Sequence, residues 1–243
     1  MFRYSYLADP LYRAQFELGV KTVLVRFSSK ALAAKKASIA SEIPPPQYIS
    51  SNDLLVASLW RAVARGMKGT LRDKDATVKV NVDSRGRNLG IPSTFTGGAT
   101  FFAKPELETG VSPLDISLAK ASLMIREVIL AIDRSFIANT TAFVDTQSNA
   151  ELTSSFLDAN FLLNSTNWDS FGNLVQYDLG AGPAAALRLP PPGAERLSYV
   201  LPTSGPESGV DVGIGLTASQ MEKFITDKEL LEVGAEILGI FHS

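Results

Sequence analysis

The chain has 243 residues and a formal net charge of −2, with 45% hydrophobic and 20% charged residues, a composition typical of globular proteins. It has no cysteine and one histidine, His242, which excludes a disulfide framework and leaves little for a zinc site or a histidine-based nucleophile system. The near-neutral charge without a basic block argues against a nucleic-acid surface, and no apolar run approaches the ~20 residues that span a bilayer. We therefore expect a cytoplasmic protein that holds no metal, and a frayed His242 that takes no part in chemistry.

Strand and helix patterns alternate along the first half of the chain. Residues 1–20 are rich in aromatics and predict a separate segment that covers apolar surface or docks a partner, whereas residues 21–243 predict a single domain. The elements expected in chain order are a strand at Lys21–Phe27, a helix at Lys30–Ala40 capped by Ser28 or Ser29, a helix from Ser50 or Ser51 to Gly66, a strand at Ala76–Asp83, and a long helix from Ser112 to Phe136.

The second half begins with a Ser/Thr/Asn-rich stretch between Asn139 and Trp168. The elements predicted after it are a strand within Phe171–Leu179, a loop at Pro190–Gly193, a strand pair at Leu197–Leu201 and Gly209–Leu216, a helix from Thr217, and a last helix from Asp227 that includes Leu230, Ile237 and Leu238. Strands alternate with helices, which indicates an α/β (α+β) fold with a mixed β-sheet flanked by helices.

Four ordered segments carry a resemblance to a known family. They are Ser51-Asn52-Asp53 through Leu59-Trp60-Arg61, Val82-Asp83-Ser84-Arg85-Gly86-Arg87 with Gly97-Gly98, Trp168 leading to Asp178-Leu179-Gly180-Ala181-Gly182-Pro183, and Leu201-Pro202 with Gly209-Val210-Asp211-Val212 and Met221 to Glu229. Together they resemble the C-terminal half of BAHD-type acyltransferases, including the fungal trichothecene 3-O-acetyltransferases. The set extends over nearly the whole chain.

The resemblance implies one half of a two-lobe fold related to chloramphenicol acetyltransferase. In that family a thioester of coenzyme A and a small-molecule acceptor, an alcohol or an amine, enter a channel between the halves. The general base is the histidine of an H-x-x-x-D motif in the N-terminal half. A D-F-G-W-G motif in the C-terminal half is mainly structural.

This sequence departs from the family pattern at two motifs. No H-x-x-x-D occurs, and the D-F-G-W-G position reads Asp178-Leu179-Gly180-Ala181-Gly182, without both aromatics. The first interpretation is an acyl-CoA-dependent O-acyltransferase half of secondary metabolism, for which another chain supplies the histidine. The expected partner is an N-terminal-half protein, or a second copy in a homodimer that mimics the usual arrangement of two halves. The alternative is a repurposed half-fold that does not acylate: a partner or binding subunit, or a cyclisation or pericyclic catalyst.

The family motifs suggest several site residues. Structural roles are expected for Asp178, Gly180, Gly182 and Arg85, with an Asp178–Arg85 ion pair and Arg87 as the alternative partner for Asp178. The glycines would permit a tight backbone path.

Other residues are candidates for binding acyl-CoA. The candidates for binding acyl-CoA are Thr166, Trp168, Gly97 and Gly98. A hydroxyl within Ser165-Thr166-Asn167 could hydrogen-bond an oxyanion, although turn residues are the favoured interpretation. For Trp168, a place in the core and a place in the channel wall are equally expected, whereas Trp60 is expected in the core. The cations Arg26, Lys30 and Arg61 could meet phosphates, but solvated charge is the favoured interpretation for each.

Overall fold

The computed structural model describes residues 19–68, 76–87, 89–146, 161–169, 178, 180–182, 187–189, 195–203 and 208–242. The seven strands in this part of the chain are β1 (Lys21–Ser28), β2 (Val78–Asp83), β3 (Thr100–Ala103), β4 (Leu163–Asn167), β5 (Leu197–Pro202), β6 (Gly209–Leu216) and β7 (Ala235–His242). The helices are α1 (Ser29–Ser38), α2 (Ser51–Gly66), α3 (Leu118–Leu130), α4 (Arg134–Asp145), α5 (Ala218–Ile225) and α6 (Lys228–Glu232), with a 3₁₀ turn at Ala40–Glu42. Residues 1–18 of the predicted N-terminal segment, all but one residue of the Phe171–Leu179 strand and the Pro190–Gly193 loop lie outside the described residues.

The strands form one mixed sheet in the order β3-β2-β4-β5-β6-β1-β7. The β2–β4 and β4–β5 pairs are parallel, and the other four pairs are antiparallel. The predicted mixed sheet flanked by helices is therefore confirmed. None of the helices in the described ranges is long and apolar enough to cross a membrane.

The sheet splits at the carboxyl ends of β2 and β4. Their paired register ends at Val80 and Ser165. Beyond that point β2 continues beside β3 as far as Asp83, while β4 continues beside β5 as far as Asn167. The two strands therefore diverge and leave a fork between their ends.

Helix α2 lies at the centre of the core and begins at this fork. Thirteen of its 16 residues are buried, because it contacts α1, α3, α5, α6 and β4. Strand residues two apart share one face, and the apolar residues of that face join the helices in a single hydrophobic core. On β2 and β6 these residues are Val78, Val80, Val82, Val212, Ile214 and Leu216.

Most of the predicted elements are confirmed, and so are their caps. Ser28 caps α1, Ser50 and Asp53 form a capping box on α2, and Thr217 and Gln220 form another on α5. The β5–β6 pair is antiparallel as expected for neighbouring strands. Trp60 is 0% exposed and lies in the core, as predicted.

The predicted long helix from Ser112 to Phe136 is wrong in its limits. The Asp115 side chain accepts a hydrogen bond from the Ser112 N–H at 2.7 Å, but this contact closes a turn and not a helix. The helix starts after Ser117, whose hydroxyl caps it. It ends at Leu130, and Asp133 then caps the separate helix α4.

The predicted last helix is also too long, since α6 ends at Glu232 and the following residues form β7. Gly234 separates the two elements with a φ of 96°, in the left-handed region that side chains disfavour. A Cβ at this position would lie 2.5 Å from the Ala31 Cβ. Ile237 and Leu238 therefore belong to a strand. His242 is the last residue of that strand and is paired with Lys21, so its backbone is held in the sheet. The expectation that His242 is frayed is therefore wrong.

Candidate functional site

A cleft of about 420 Å³ lies at the fork between β2 and β4. Its walls come from four elements, and we call it the fork cleft. The lining residues are Ser50, Asn52, Asp53, Val80, Asn81, Val82, Asp83, Arg87, Arg126, Ile129, Asn167 and Asp169. The strand ends and the first turn of α2 thus meet in one polar cavity, with three apolar side chains in its wall.

Asp53 anchors the base of the fork cleft and is 1% exposed. Its Oδ2 accepts hydrogen bonds from the Ser50 N–H at 2.6 Å and from Arg126 Nε at 2.7 Å, and Arg126 Nη2 lies 2.6 Å from the same oxygen. The Asp53 carboxylate therefore caps its own helix and neutralises Arg126. All three of these donors converge on a single carboxylate oxygen.

The other oxygen of this carboxylate, Asp53 Oδ1, is buried and has no hydrogen-bond partner. The same is true of Asn81 Oδ1, also in the cleft, and of the Ser165 hydroxyl at the last paired position of β4. Buried acceptors without a donor are rare in folded proteins, because each one costs the desolvation of a polar atom. These three atoms are enclosed beside the cleft and are not open to it.

The opposite wall is held by hydrogen bonds between β4 and α2. Asn167 Nδ2 donates to Asn52 Oδ1 at 2.6 Å, and Asn167 Oδ1 accepts from the Asp169 N–H at 2.7 Å. Partial burial raises the pKa of the Asp169 carboxyl, since desolvation disfavours the charged form. Within the described ranges no ion pair is formed by Asp169.

We expect an Asp169→Asn variant to be more thermostable than the parent chain at pH 7 and equally stable at pH 3. A carboxyl whose pKa is higher in the folded than in the unfolded state binds more protons when folded, so the parent loses stability as the pH rises through about 4 and above. The asparagine variant lacks this loss, and a rise in melting temperature of roughly 1–3 °C at pH 7 is expected. Thermal melts at both pH values measure it, and a rise of the same size at pH 3 would contradict the explanation.

Thr166 and Trp168 lie together at the end of β4. The Trp168 indole donates to the Thr166 hydroxyl at 3.0 Å, and the Trp168 N–H donates to the Val200 carbonyl at 2.8 Å. Trp168 is half-buried. Because Ser165-Thr166-Asn167 forms a strand, the favoured interpretation of these residues as a turn is wrong.

Gly97 and Gly98 lie in the loop before β3, and not near Thr166 and Trp168 in sequence. The Gly97 carbonyl accepts a hydrogen bond from Arg85 Nη2 at 2.6 Å. Arg85 also donates to the Phe95 carbonyl at 2.8 Å, so this arginine shapes the connection between β2 and β3.

The expected ion pair between Asp178 and Arg85 does not form. Arg85 Nη1 pairs instead with Asp83 Oδ1 at 3.0 Å, two residues earlier in the chain, and no ion pair joins Asp178 to Arg87 among the described residues. Asp178 is exposed, and its Oδ1 accepts hydrogen bonds from the N–H groups of Gly180 at 2.7 Å and Gly182 at 2.9 Å. The φ angles of Gly180 and Gly182 are 98° and 99°, a backbone conformation that is strained for a residue with a side chain.

The expectation of a solvated Arg61 is wrong, since this residue is 8% exposed. It makes a two-pronged ion pair with Glu229 at 2.7 and 2.8 Å, and it donates to the carbonyls of Pro113 and Ile116. Burial alone would raise the pKa of Glu229, but its hydrogen bonds and charge interactions with Arg61 and Arg65 outweigh burial and lower it. Arg61 is thus part of the structure that joins α2 to α6.

The other two candidate cations differ in their surroundings. Arg26 makes a two-pronged ion pair with the fully buried Asp211 at 2.8 and 3.0 Å, and Arg188 lies 2.8 Å from the same carboxylate. Lys30 is exposed in the first turn of α1. The described residues hold no group of three or more His, Asp or Glu side chains that could bind a metal ion.

No protein-family profile matches the sequence. The chain is 25% identical over 214 residues to tryptamine benzoyltransferase 1 of Oryza sativa subsp. japonica, an alignment that covers 84% of this chain and 46% of that protein. It is 26% identical over 209 residues to rosmarinate synthase of Plectranthus scutellarioides, an alignment that covers 83% of this chain and 46% of that protein. The structure of F. graminearum TRI101 complexed with coenzyme A and deoxynivalenol superposes with a TM-score of 0.75 at 19% identity, covering 91% of this chain and 50% of that one.

These proteins are BAHD-type acyltransferases, so the resemblance predicted from the four sequence segments is confirmed. The chain spans about half the length of the curated relatives that it matches. Its fold is that of the matched half of the TRI101 structure.

Proposed function

Because this chain is a relative of the BAHD-type acyltransferases in sequence and fold, we propose that it is one lobe of an acyl-CoA-dependent acyltransferase of secondary metabolism. The second lobe, supplied by an N-terminal-half protein or by another copy of this chain, would complete the working cleft. A small alcohol or amine would accept the acyl group. The observation that carries this proposal is the likeness of the chain, in sequence and in fold, to the acyltransferases that it matches.

The proposed reaction is acyl transfer with general-base catalysis. A histidine of an N-terminal-half partner would take the proton from the acceptor hydroxyl or amine as it attacks the thioester carbonyl, whereas a second copy of this chain would complete the cleft without supplying an H-x-x-x-D histidine. The carbon–sulfur bond then breaks, and coenzyme A leaves as a thiolate that takes the proton back from the imidazolium. This chain would contribute binding and orientation, which are worth several orders of magnitude in rate when the geometry is fixed.

The end of β4 is the part of this chain that we assign to the thioester. Thr166 presents a hydroxyl that is fixed by the Trp168 indole, and Trp168 itself is half-buried. Such a fixed hydroxyl can donate to an oxyanion while it accepts from the indole. Gly97 and Gly98 would line the approach of coenzyme A on the β3 side of the fork.

Calorimetric titration with acetyl-CoA tests the proposal. We expect saturable binding by the isolated chain, and a Thr166→Val variant, which keeps the shape and removes the hydroxyl, is expected to bind about two- to tenfold more weakly. A matched Thr141→Val change on the exposed face of α4 should leave the affinity unchanged, because the Thr141 hydroxyl donates to the Ile137 carbonyl of its own helix. No binding at millimolar acetyl-CoA would overturn the assignment.

A second candidate function is a repurposed half-fold that does not acylate, either a binding or partner subunit or a cyclisation catalyst. One observation favours it: the Asp178 carboxylate bonds its own glycines and leaves Arg85 to Asp83, so the family's ion pair is lost. This candidate predicts that the chain binds no acyl-CoA, and the same titration therefore separates the two functions.

A further inference from the structure

We infer that the face of the sheet turned away from the helices carries a binding site for a small organic carboxylate, formed by the guanidinium group of Arg188 and the hydroxyl of Tyr199 beside the buried Asp211. None of these three residues lines the fork cleft. The inference does not depend on the proposed function.

Strand alternation places Tyr199 and Asp211 on the same face of the sheet. Tyr199 on β5 is paired with Gly213 on β6, and Asp211 lies two residues before Gly213. Their neighbours Val200 and Val212 belong to the hydrophobic core, so Tyr199 and Asp211 lie on the opposite face. A Cβ on Gly213 would overlap the ring and the hydroxyl of Tyr199, so the phenol lies across β6 at this glycine. Residues two apart on a strand are about 7 Å apart, which brings the hydroxyl close to Asp211 and its arginines.

The charge around Asp211 favours an anion. Asp211 is 0% exposed, Arg26 makes a two-pronged ion pair with it, and Arg188 Nη2 lies 2.8 Å from its Oδ2. Two cations on one carboxylate leave a surplus of positive charge. Glu236 is exposed beside Arg26 on β7, two strands and about 10 Å from Asp211, so it offsets the charge of Arg26 and not that of Arg188.

Arg188 has hydrogen-bond donors that remain open. A guanidinium group has five N–H donors, and the described contacts of Arg188 are Nη2 with Asp211 and Nη1 with the Leu187 carbonyl at 2.8 Å. The Arg188 side chain is 37% exposed, so a ligand can reach the donors that are left.

The Tyr199 hydroxyl is the second open donor. Tyr199 is 6% exposed, yet its hydroxyl forms no hydrogen bond in the described ranges. It is not one of the enclosed atoms without a partner in those ranges, so solvent and a ligand can reach it. Burial raises the pKa of this phenol, and the nearby charge of Arg188 lowers it in part. The hydroxyl therefore keeps its proton at neutral pH and can donate it in a hydrogen bond.

A carboxylate suits these donors better than an ammonium group or a phosphate dianion. Its two oxygens match the two open donors of Arg188 and Tyr199, and its single charge balances the surplus at Arg188. An ammonium group would be repelled by the arginines and would find no free acceptor. The second charge of a phosphate would lie unbalanced near the Asp211 carboxylate.

A titration of the ¹⁵N-labelled chain with benzoate at low ionic strength tests the inference. Benzamide is the uncharged isostere, benzylamine the cationic probe and inorganic phosphate the dianion. We expect saturable shifts of the Arg188 Nε–H and Tyr199 backbone N–H signals, with benzoate bound at least about tenfold more tightly than benzamide or benzylamine and at least as tightly as phosphate. Equal affinities for benzoate and benzamide, tighter binding of phosphate, or no saturable shift would each overturn the inference.

Two variants, followed on the backbone N–H signal of residue 199, assign the two donors. Arg188→Gln is expected to weaken benzoate binding at least about tenfold, and Tyr199→Phe, which keeps the ring, by about two- to fivefold. Lys120→Gln on the exposed side of α3 and Tyr48→Phe at an exposed ring are the matched controls and should change nothing. An unchanged affinity in Arg188→Gln or in Tyr199→Phe would contradict the site as assigned.

Discussion

An Arg61→Ala variant should lose about 3–5 kcal/mol of unfolding free energy, a large part of the total of about 5–15 kcal/mol that holds a protein of this kind together. The buried guanidinium of Arg61 satisfies both oxygens of Glu229 and two backbone carbonyls. Removing it leaves these acceptors without their main donor, and Arg65 reaches Glu229 only at 3.2 Å. Urea unfolding followed by circular dichroism measures the loss.

The matched control is Arg87→Ala, since Arg87 is exposed and forms no ion pair within the described ranges. It should change the unfolding free energy by less than about 0.5 kcal/mol. Arg61→Lys is expected to fall between the two, because lysine keeps the charge but cannot bridge both carboxylate oxygens. An Arg61→Ala variant within about 1 kcal/mol of the parent would show that the cluster does not hold α2 to α6.

A Trp60→Ala variant should cost about 3–5 kcal/mol of unfolding free energy, as expected for removing a fully buried aromatic from a close-packed core. Trp60 is 0% exposed, and its indole N–H donates to the Ala76 carbonyl at 2.7 Å. The substitution removes the ring from the core and also leaves that carbonyl without its donor. The same urea titration measures the effect.

Two variants separate these contributions of Trp60. Trp60→Phe keeps most of the ring and loses the N–H, so we expect a cost of about 1–3 kcal/mol. Trp168→Ala makes the same chemical change as Trp60→Ala at a half-buried position and should cost distinctly less. Equal losses at the two tryptophans would show that burial in the α2 core is not the source of the stability.

The sequence predicts elements well where local chemistry and burial agree. The alternation of Val210, Val212, Ile214 and Leu216 and the predicted starts of α2 at Ser50 or Ser51 and of α5 at Thr217 all correspond to observed elements. It fails where one local signal fits two structures. The Asp115–Ser112 contact has the hydrogen bonding of a helix start, yet it closes only a turn, and helix α3 begins after Ser117.

Strand β4 escaped prediction because its residues, Leu-Asn-Ser-Thr-Asn, have the composition of a loop. Parallel pairing with β2 and β5 on either side makes it a strand, and that pairing is not encoded in the segment itself. In the same way, Ile237 and Leu238 fit a helical stripe until Gly234 turns the chain away from α6.

The fork cleft could be predicted only in part. The capping signal identifies Asp53 as a residue of the first turn of α2, but its free oxygen depends on Arg126, which is 73 residues away in sequence. The Asp178–Arg85 pair was expected from the family resemblance and fails, because Asp83 lies closer to Arg85 at the end of the same strand. Sites assembled from several elements leave no fixed spacing in the sequence.

Release of free thiol from acetyl-CoA, followed with Ellman's reagent, tests most directly whether this chain is one lobe of an acyltransferase whose active site needs a second lobe. The chain has no cysteine, so any thiol that the reagent detects comes from coenzyme A. With 2-phenylethylamine or an alcohol as acceptor, we expect bound acetyl-CoA but thiol release at the uncatalysed rate, since a missing general base forfeits about 100- to 10,000-fold. Thiol release proportional to the concentration of this chain alone would contradict the account, because a proton acceptor would then have to lie within the chain itself.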